Sequence, residues 1–111
     1  MSKATGVLEL GVPQEVAAKA CRAALTEMGW HVIGEPADGV DAREDPVRLC
    51  CRQSPAESQL RIRESERGSA IAIETRVAGF GPVSSVHADE CQLSLVRHIH
   101  KHATGVRAQL R

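Results

Sequence analysis

Aromatic side chains are almost missing from this chain: Trp30 and Phe80 are the only two, and there is no tyrosine. The core must therefore be built from Leu, Val, Ile and Ala, and the stacking platforms on which bases or sugars are commonly read are absent. An excess of charge of either sign is missing too. Fourteen Lys and Arg balance fourteen Asp and Glu to a formal net charge of zero. No global field draws in nucleic acid or an acidic membrane, and such binding would need a local patch. No run approaches the roughly 20 apolar residues of a membrane span, and Met1 to Gly6 lacks the basic start and apolar centre of a secretory signal. The expectation is a cytoplasmic protein. Its four cysteines, at 21, 50, 51 and 91, lack CxxC spacing and are expected as thiols in a reducing compartment. Cys50 and Cys51 point to opposite faces of any strand, so a bridge between them would strain the backbone.

What is present is a regular alternation of element types. Leu8, Leu10 and Val12 share one face of a strand over Val7 to Val12, and Pro13 suits the first turn of a helix. From there to Gly29, Ala17, Cys21, Ala24, Leu25 and Met28 gather on one side, with Lys19, Arg22 and Glu27 elsewhere, which predicts an amphipathic helix. His31 to Gly34 is extended, Val40 and Ala42 mark a weak strand, and Val47 to Arg52 alternates Val47, Leu49 and Cys51 against Arg48, Cys50 and Arg52. Leu60 and Ile62 alternate with Arg61 and Arg63. A hairpin turn at Arg67-Gly68 leads into Ile71, Ile73, Thr75 and Val77. A final helix runs from Ser84 to Ala103, with Ser84 as its cap and Gly105 as its stop.

These elements predict a single α+β domain over residues 1–111, in the order β-α-β-β-β-β-β-α. Its antiparallel sheet has about six strands, and both helices pack on one face of it. The order resembles the helix-grip arrangement of the START and Bet v 1-like superfamily, in which a curved antiparallel sheet wraps a long C-terminal helix and often holds an apolar ligand. The residues that carry the likeness are the opening Val7-Leu8-Glu9-Leu10-Gly11-Val12-Pro13-Gln14-Glu15-Val16 and the helix from Ser84. Those families usually place two short helices after the first strand, where this chain has one. A sheet covered by two helices, as in half of a TATA-binding-protein fold, fits the same length.

The last helix carries the chain's main candidate chemistry. At about 100° per residue, His87, Cys91, His98 and His102 fall within an arc of roughly 60° along the edge of the apolar face. His87 with Cys91, and His98 with His102, have the four-residue spacing that brings two ligands to one ion, and imidazole and thiolate suit Zn, Ni or Cu. The pairs stand about 10 to 16 Å apart along the axis, so one ion cannot take all four, and a site needs a further ligand from the sheet or another subunit. The competing reading makes these residues the border of the core, where a ring packs and one nitrogen stays wet. Inward-facing Cys21, Cys51 and Cys91 are expected in one layer, as a thiol cluster or as small buried hydrophobes.

Two further surfaces are candidates. Leu95, Ile99, Met28 and Cys91 would line an apolar groove under the last helix. Arg48, Arg52, Arg61, Arg63 and Arg76 form an outward basic patch that could take an anionic partner, unless Glu9, Glu64 and Glu74 on the same face pair with them. Gly79-Phe80-Gly81-Pro82-Val83-Ser84-Ser85 lacks the Lys of a phosphate loop. With no catalytic constellation, the leading expectation is a small non-enzymatic binding or adaptor domain for an apolar small molecule or a protein partner, plausible as a homodimer and without a resident cofactor. The alternatives are a metal-binding or redox-sensing protein, with Zn as the first candidate ion, and a helix-grip enzyme.

Overall fold

The computed structural model describes residues 1–45, 54–79 and 81–109. Its elements are β1 (Ser2–Leu10), α1 (Gln14–Met28), β2 (His31–Gly34), β3 (Gly39–Arg43), β4 (Glu57–Ser65), β5 (Gly68–Val77) and α2 (Pro82–Gln109). The strands form one antiparallel sheet in the order β1-β5-β4-β3-β2. The first strand thus closes against β5, which leaves β1 and β2 as the two edges among the described residues. Both helices cover one face, α1 over β3 and β4 and α2 over β1 and β5, and they pack against each other. This is the expected α+β class with five strands. The strand expected at Val47 to Arg52 lies outside the described residues, and with it Arg48, Cys50, Cys51 and Arg52; Phe80 does too. Among the described residues no helix is long and apolar enough to cross a membrane.

Period-two alternation sets which side chains enter the layer between sheet and helices. Leu8, Val40, Leu60, Ile71 and Ile73 meet there as cross-strand neighbours, in the pairs Leu8↔Ile71, Val40↔Leu60 and Leu60↔Ile73. The helices answer with Ala17, Ala20, Cys21, Ala24 and Leu25 from α1, and Ala88, Cys91, Leu95, Ile99 and Ala103 from α2, all buried. Five of these ten are alanines. A core with hardly any rings is filled by bringing backbones close together, so that each small side chain meets the next element. Trp30, just past α1, is also buried.

Element ends depart from the sequence reading in four places. β1 begins at Ser2 instead of Val7 because it pairs with β5 along its whole length, from Ser2↔Val77 to Leu10↔Ser69. Tertiary pairing outweighs the weak local signal of Lys3, Thr5 and Gly6. The hairpin turn is Glu66-Arg67, with Ser65 facing Gly68 across it. α2 starts at Pro82, where a missing N–H costs nothing, and the Ser85 N–H donates to the Gly81 carbonyl. Ser84 does not cap the helix; its hydroxyl donates to the Ala78 carbonyl. Gly105 does not stop α2, which continues to Gln109. Glycine inside a helix costs only about 1 kcal/mol, and no proline follows to enforce an end.

At α1 the expectation holds: Gly29 adopts the left-handed conformation (φ 76°), and the Trp30 N–H closes onto the Leu25 carbonyl. Gly39 answers a different demand. A Cβ there would lie 1.8 Å from the Leu60 carbonyl oxygen, so β3 and β4 approach as closely as they do only because position 39 has no side chain. Gly39→Ala should therefore push β3 off β4 and lower stability by about 1–3 kcal/mol in urea unfolding; a change below about 0.5 kcal/mol would contradict this reading.

Candidate metal centre

A hydrogen-bond chain inside the layer sets the position of α2 on the sheet. Ser58 and Thr75 share a hydrogen bond of 2.8 Å, Thr75 Oγ1 donates to Gln92 Oε1 at 2.5 Å, and Gln92 Nε2 donates to the Ile73 carbonyl at 3.1 Å. Gln92 is thereby fixed over β5. Its neighbour Cys91 and, one turn earlier, His87 then face the place where β3 ends and Glu44 follows.

Glu44 is held there from both backbone and side chain. Its N–H donates to the Ala56 carbonyl (2.9 Å), and the Ala56 N–H donates to Glu44 Oε1 (3.2 Å). His87 Nε2 donates to the same oxygen at 2.7 Å, while Cys91 Sγ stands 3.9 Å from Glu44 Oε2 and 3.7 Å from His87 Nε2. Imidazole nitrogen, thiol sulfur and carboxylate oxygen thus lie within 4.8 Å of one another, and no other group of three His, Cys, Asp or Glu does so among the described residues. The Cys91 thiol is pushed up to about 12, first by burial and then by the carboxylates of Glu44 and Glu90. Without a cation the cluster is a hydrogen-bonded set with a neutral thiol.

The sequence stripe is therefore divided. His87 and Cys91 converge with a carboxylate, while His98 and His102 are engaged elsewhere. His98 Nδ1 donates to the Ser94 carbonyl one turn back, at 2.7 Å. His102 Nε2 donates to Glu27 Oε2, and Lys101 Nζ donates to Glu27 Oε1 at 2.8 Å, so this end of α2 is clasped to α1. The lysine first, and then the histidine, hold the Glu27 carboxyl down at about 2. Glu44 was not among the sequence candidates, yet a signal for it exists. Val40 and Ala42 face inward, and Glu44 is the next residue of the same parity, a carboxylate continuing the buried side of a strand.

The remaining sequence candidates sit apart from the cluster. Cys21 is buried and its thiol is pushed up to about 12 by burial, but it does not join Glu44, His87 and Cys91. Leu95 and Ile99 are fully buried, and Met28 packs half-buried against the core, so the space expected as an apolar groove is occupied by side chains. On the outer face, Arg61 Nη1 donates to Asp41 Oδ1 at 2.6 Å and Arg76 pairs with Glu74 at 2.7 Å. Glu64 falls on the parity of Leu60 and Ile62, opposite to Arg61 and Arg63, and so does not neutralise them. Arg63 has no ion pair among the described residues. Of the three described arginines of the patch, Arg61 and Arg76 are thus paired, with Asp41 and Glu74.

No family model matches the sequence, and no curated protein matches it. The fold does have solved counterparts. The crystal structure of Ara h 8.0201 matches 94% of this chain and 98% of its own, with a TM-score of 0.57 at 8% identity. The chain has a distant Bet v 1-like fold, in agreement with the helix-grip order of its elements. At this identity the likeness concerns architecture alone.

The Glu27 clasp carries a definite pH signature. Its folded pKa lies below the unfolded value of about 4.3, so its contribution is present above about 4.3 and is lost as pH falls toward about 2. Between those limits the melting temperature of Glu27→Gln should fall less steeply with acid than that of the parent chain. Parallel curves would remove the clasp from the account.

Proposed function

We propose that this chain is a non-enzymatic binding protein whose ligand is a divalent cation of the zinc class, held by Glu44, His87 and Cys91. The observation that carries the reading is the convergence of three different donors, two from α2 and one from the residue that follows β3. Tetrahedral ligands at 2.0–2.3 Å from zinc stand about 3.3–3.8 Å apart. The sulfur already lies 3.7 Å from the imidazole nitrogen and 3.9 Å from one carboxylate oxygen. The 2.7 Å contact between His87 and Glu44 is a hydrogen bond, which a cation replaces by taking both atoms as ligands.

Three protein donors leave a fourth position for water or for a ligand group. Harder cations such as Mg²⁺ and Ca²⁺ prefer sets of oxygens and are disfavoured by a thiol and an imidazole. Binding displaces the Cys91 proton, so apparent affinity rises about tenfold per pH unit wherever the thiol is the group that must ionise.

An apolar small molecule is the second reading, favoured by the fold likeness. Its space would be the cleft of about 210 Å³ between α1 and β3, lined by Ala18, Arg22, Pro36 and Ile62 among others. That is below the roughly 300–1,000 Å³ typical of small-molecule sites, whereas the groove of about 470 Å³ between β1 and α2 falls within it.

Cobalt(II) titration of the metal-free protein separates these readings. The cation reading expects one equivalent, tetrahedral visible bands and a thiolate-to-cobalt charge-transfer absorption in the near ultraviolet. Cys91→Ser should abolish that absorption, and His87→Ala should weaken binding at least about tenfold. A spectrum without thiolate character, or one unchanged in Cys91→Ser, overturns the proposal.

A further inference from the structure

Edge strand β1 is nine residues long and, among the described residues, is paired only on its β5 side. An open edge of this length is a template for another strand, and natural sheets usually interrupt or cover such edges. Neither proline nor a bulge interrupts it here: Ser2–Leu10 contains no proline, and its register with β5 is unbroken. Beside the edge, a groove of about 470 Å³ runs between β1 and α2, and Leu93 on its helical wall is 51% exposed. On the outer face of the same strand Val7 is 59% exposed.

We propose that β1 pairs antiparallel with β1 of a second copy of this chain, about a two-fold axis at Gly6, to give one continuous ten-stranded sheet. The strand is self-complementary in that register and in no neighbouring one. Directly opposed residues in an antiparallel pair share a face, so the two-fold can move only in whole-residue steps along the strand. Centred on Gly6, all nine residues overlap. Lys3 then meets Glu9 of the second copy, twice, on the outer face. Thr5 meets Val7 there, and Ala4 meets Leu8 on the inner face. Centring on Thr5 or on Val7 shortens the overlap and places Lys3 opposite Val7 or Gly11, with no charge pair.

The charges around the strand fit the same arrangement. Lys3 lies beside Arg76 in the sheet, and the two share the single carboxylate of Glu74. Glu9 lies beside Ala70 and makes no ion pair among the described residues. Each copy therefore presents a surplus cation at one end of the edge and a surplus anion at the other, which the two-fold brings together.

The helix supplies a second, independent match with the same centre. A Cβ on Gly6 would lie 3.5 Å from Gln92 Nε2, so Gln92 and its neighbour Leu93 stand level with the axis. Around Leu93 the exposed residues of α2 include Val86, Asp89, Glu90, Arg97 and His100. A two-fold through Leu93 sets the helices antiparallel, with Asp89 opposite Arg97 of the second copy and Leu93 against Leu93. Strand and helix are thus each self-complementary about one axis, and the groove between them is what the second copy covers.

Sedimentation of the full chain, with circular dichroism and thermal melting as folding controls, tests this. The parent chain should be a dimer at micromolar concentration. Lys3→Glu and Glu9→Lys should each weaken it about tenfold or more, and combining them should restore it, because the swapped charges again meet across the axis. Leu93→Asp should give a folded monomer. A monomeric parent chain overturns the proposal. So does a dimer that keeps its affinity in both Lys3→Glu and Leu93→Asp, or a charge-swapped double variant no tighter than the single ones.

Discussion

Gln92 is a polar side chain inside an apolar layer, and the placement of α2 on the sheet depends on it. Its amide spans from the Ile73 carbonyl to Thr75, which is itself tied to Ser58 on the next strand. Apolar packing alone tolerates sliding and rotation of a helix across a sheet, whereas a buried network satisfied in only one geometry does not. With Gln92 fixed, Leu95 and Ile99 are turned into the core and His87 and Cys91 are turned toward the end of β3. Leu93 is left facing the open edge of β1. One side-chain position thereby sets the core, the donor cluster and the exposed stripe together.

Scarcity of aromatics shapes the rest. Alanines at the buried positions of both helices draw the backbones close to the sheet, and the layer that a helix-grip fold can open into a ligand chamber is here filled by aliphatic side chains. Chemistry has moved accordingly to the rim. There Glu44 continues the inward parity of β3 beyond the last ladder pair and meets the imidazole of His87 and the thiol of Cys91.

Much of this architecture could be read from the residues. Period-two alternation in Leu60 and Ile62 and in Ile71 to Val77 located β4 and β5, and the apolar face of Ala17 to Met28 together with Gly29 located α1 and its end. The full extent of β1 could not be read, because Ser2 to Gly6 has only a weak strand signal of its own and is extended by pairing with β5. The run of α2 beyond Gly105 was equally hidden, since one glycine is a weak stop without a proline after it. His87 and Cys91 of the stripe belong to the cluster, His102 to the clasp on Glu27 and His98 to the Ser94 carbonyl of its own helix, and the partners of His87 and His102 lie 43 and 75 residues away in the chain. Helical spacing identifies which residues share a face, but not what the rest of the fold places opposite them.

The central claim is that Cys91, His87 and Glu44 hold one cation together, and X-ray absorption at the zinc edge of the zinc-loaded protein measures this directly. The account predicts a first shell containing one sulfur at about 2.3 Å and nitrogen or oxygen donors at about 2.0–2.2 Å, with the sulfur contribution gone in Cys91→Ser. A shell of nitrogen and oxygen alone in the parent chain, or a sulfur that persists in Cys91→Ser, would contradict it.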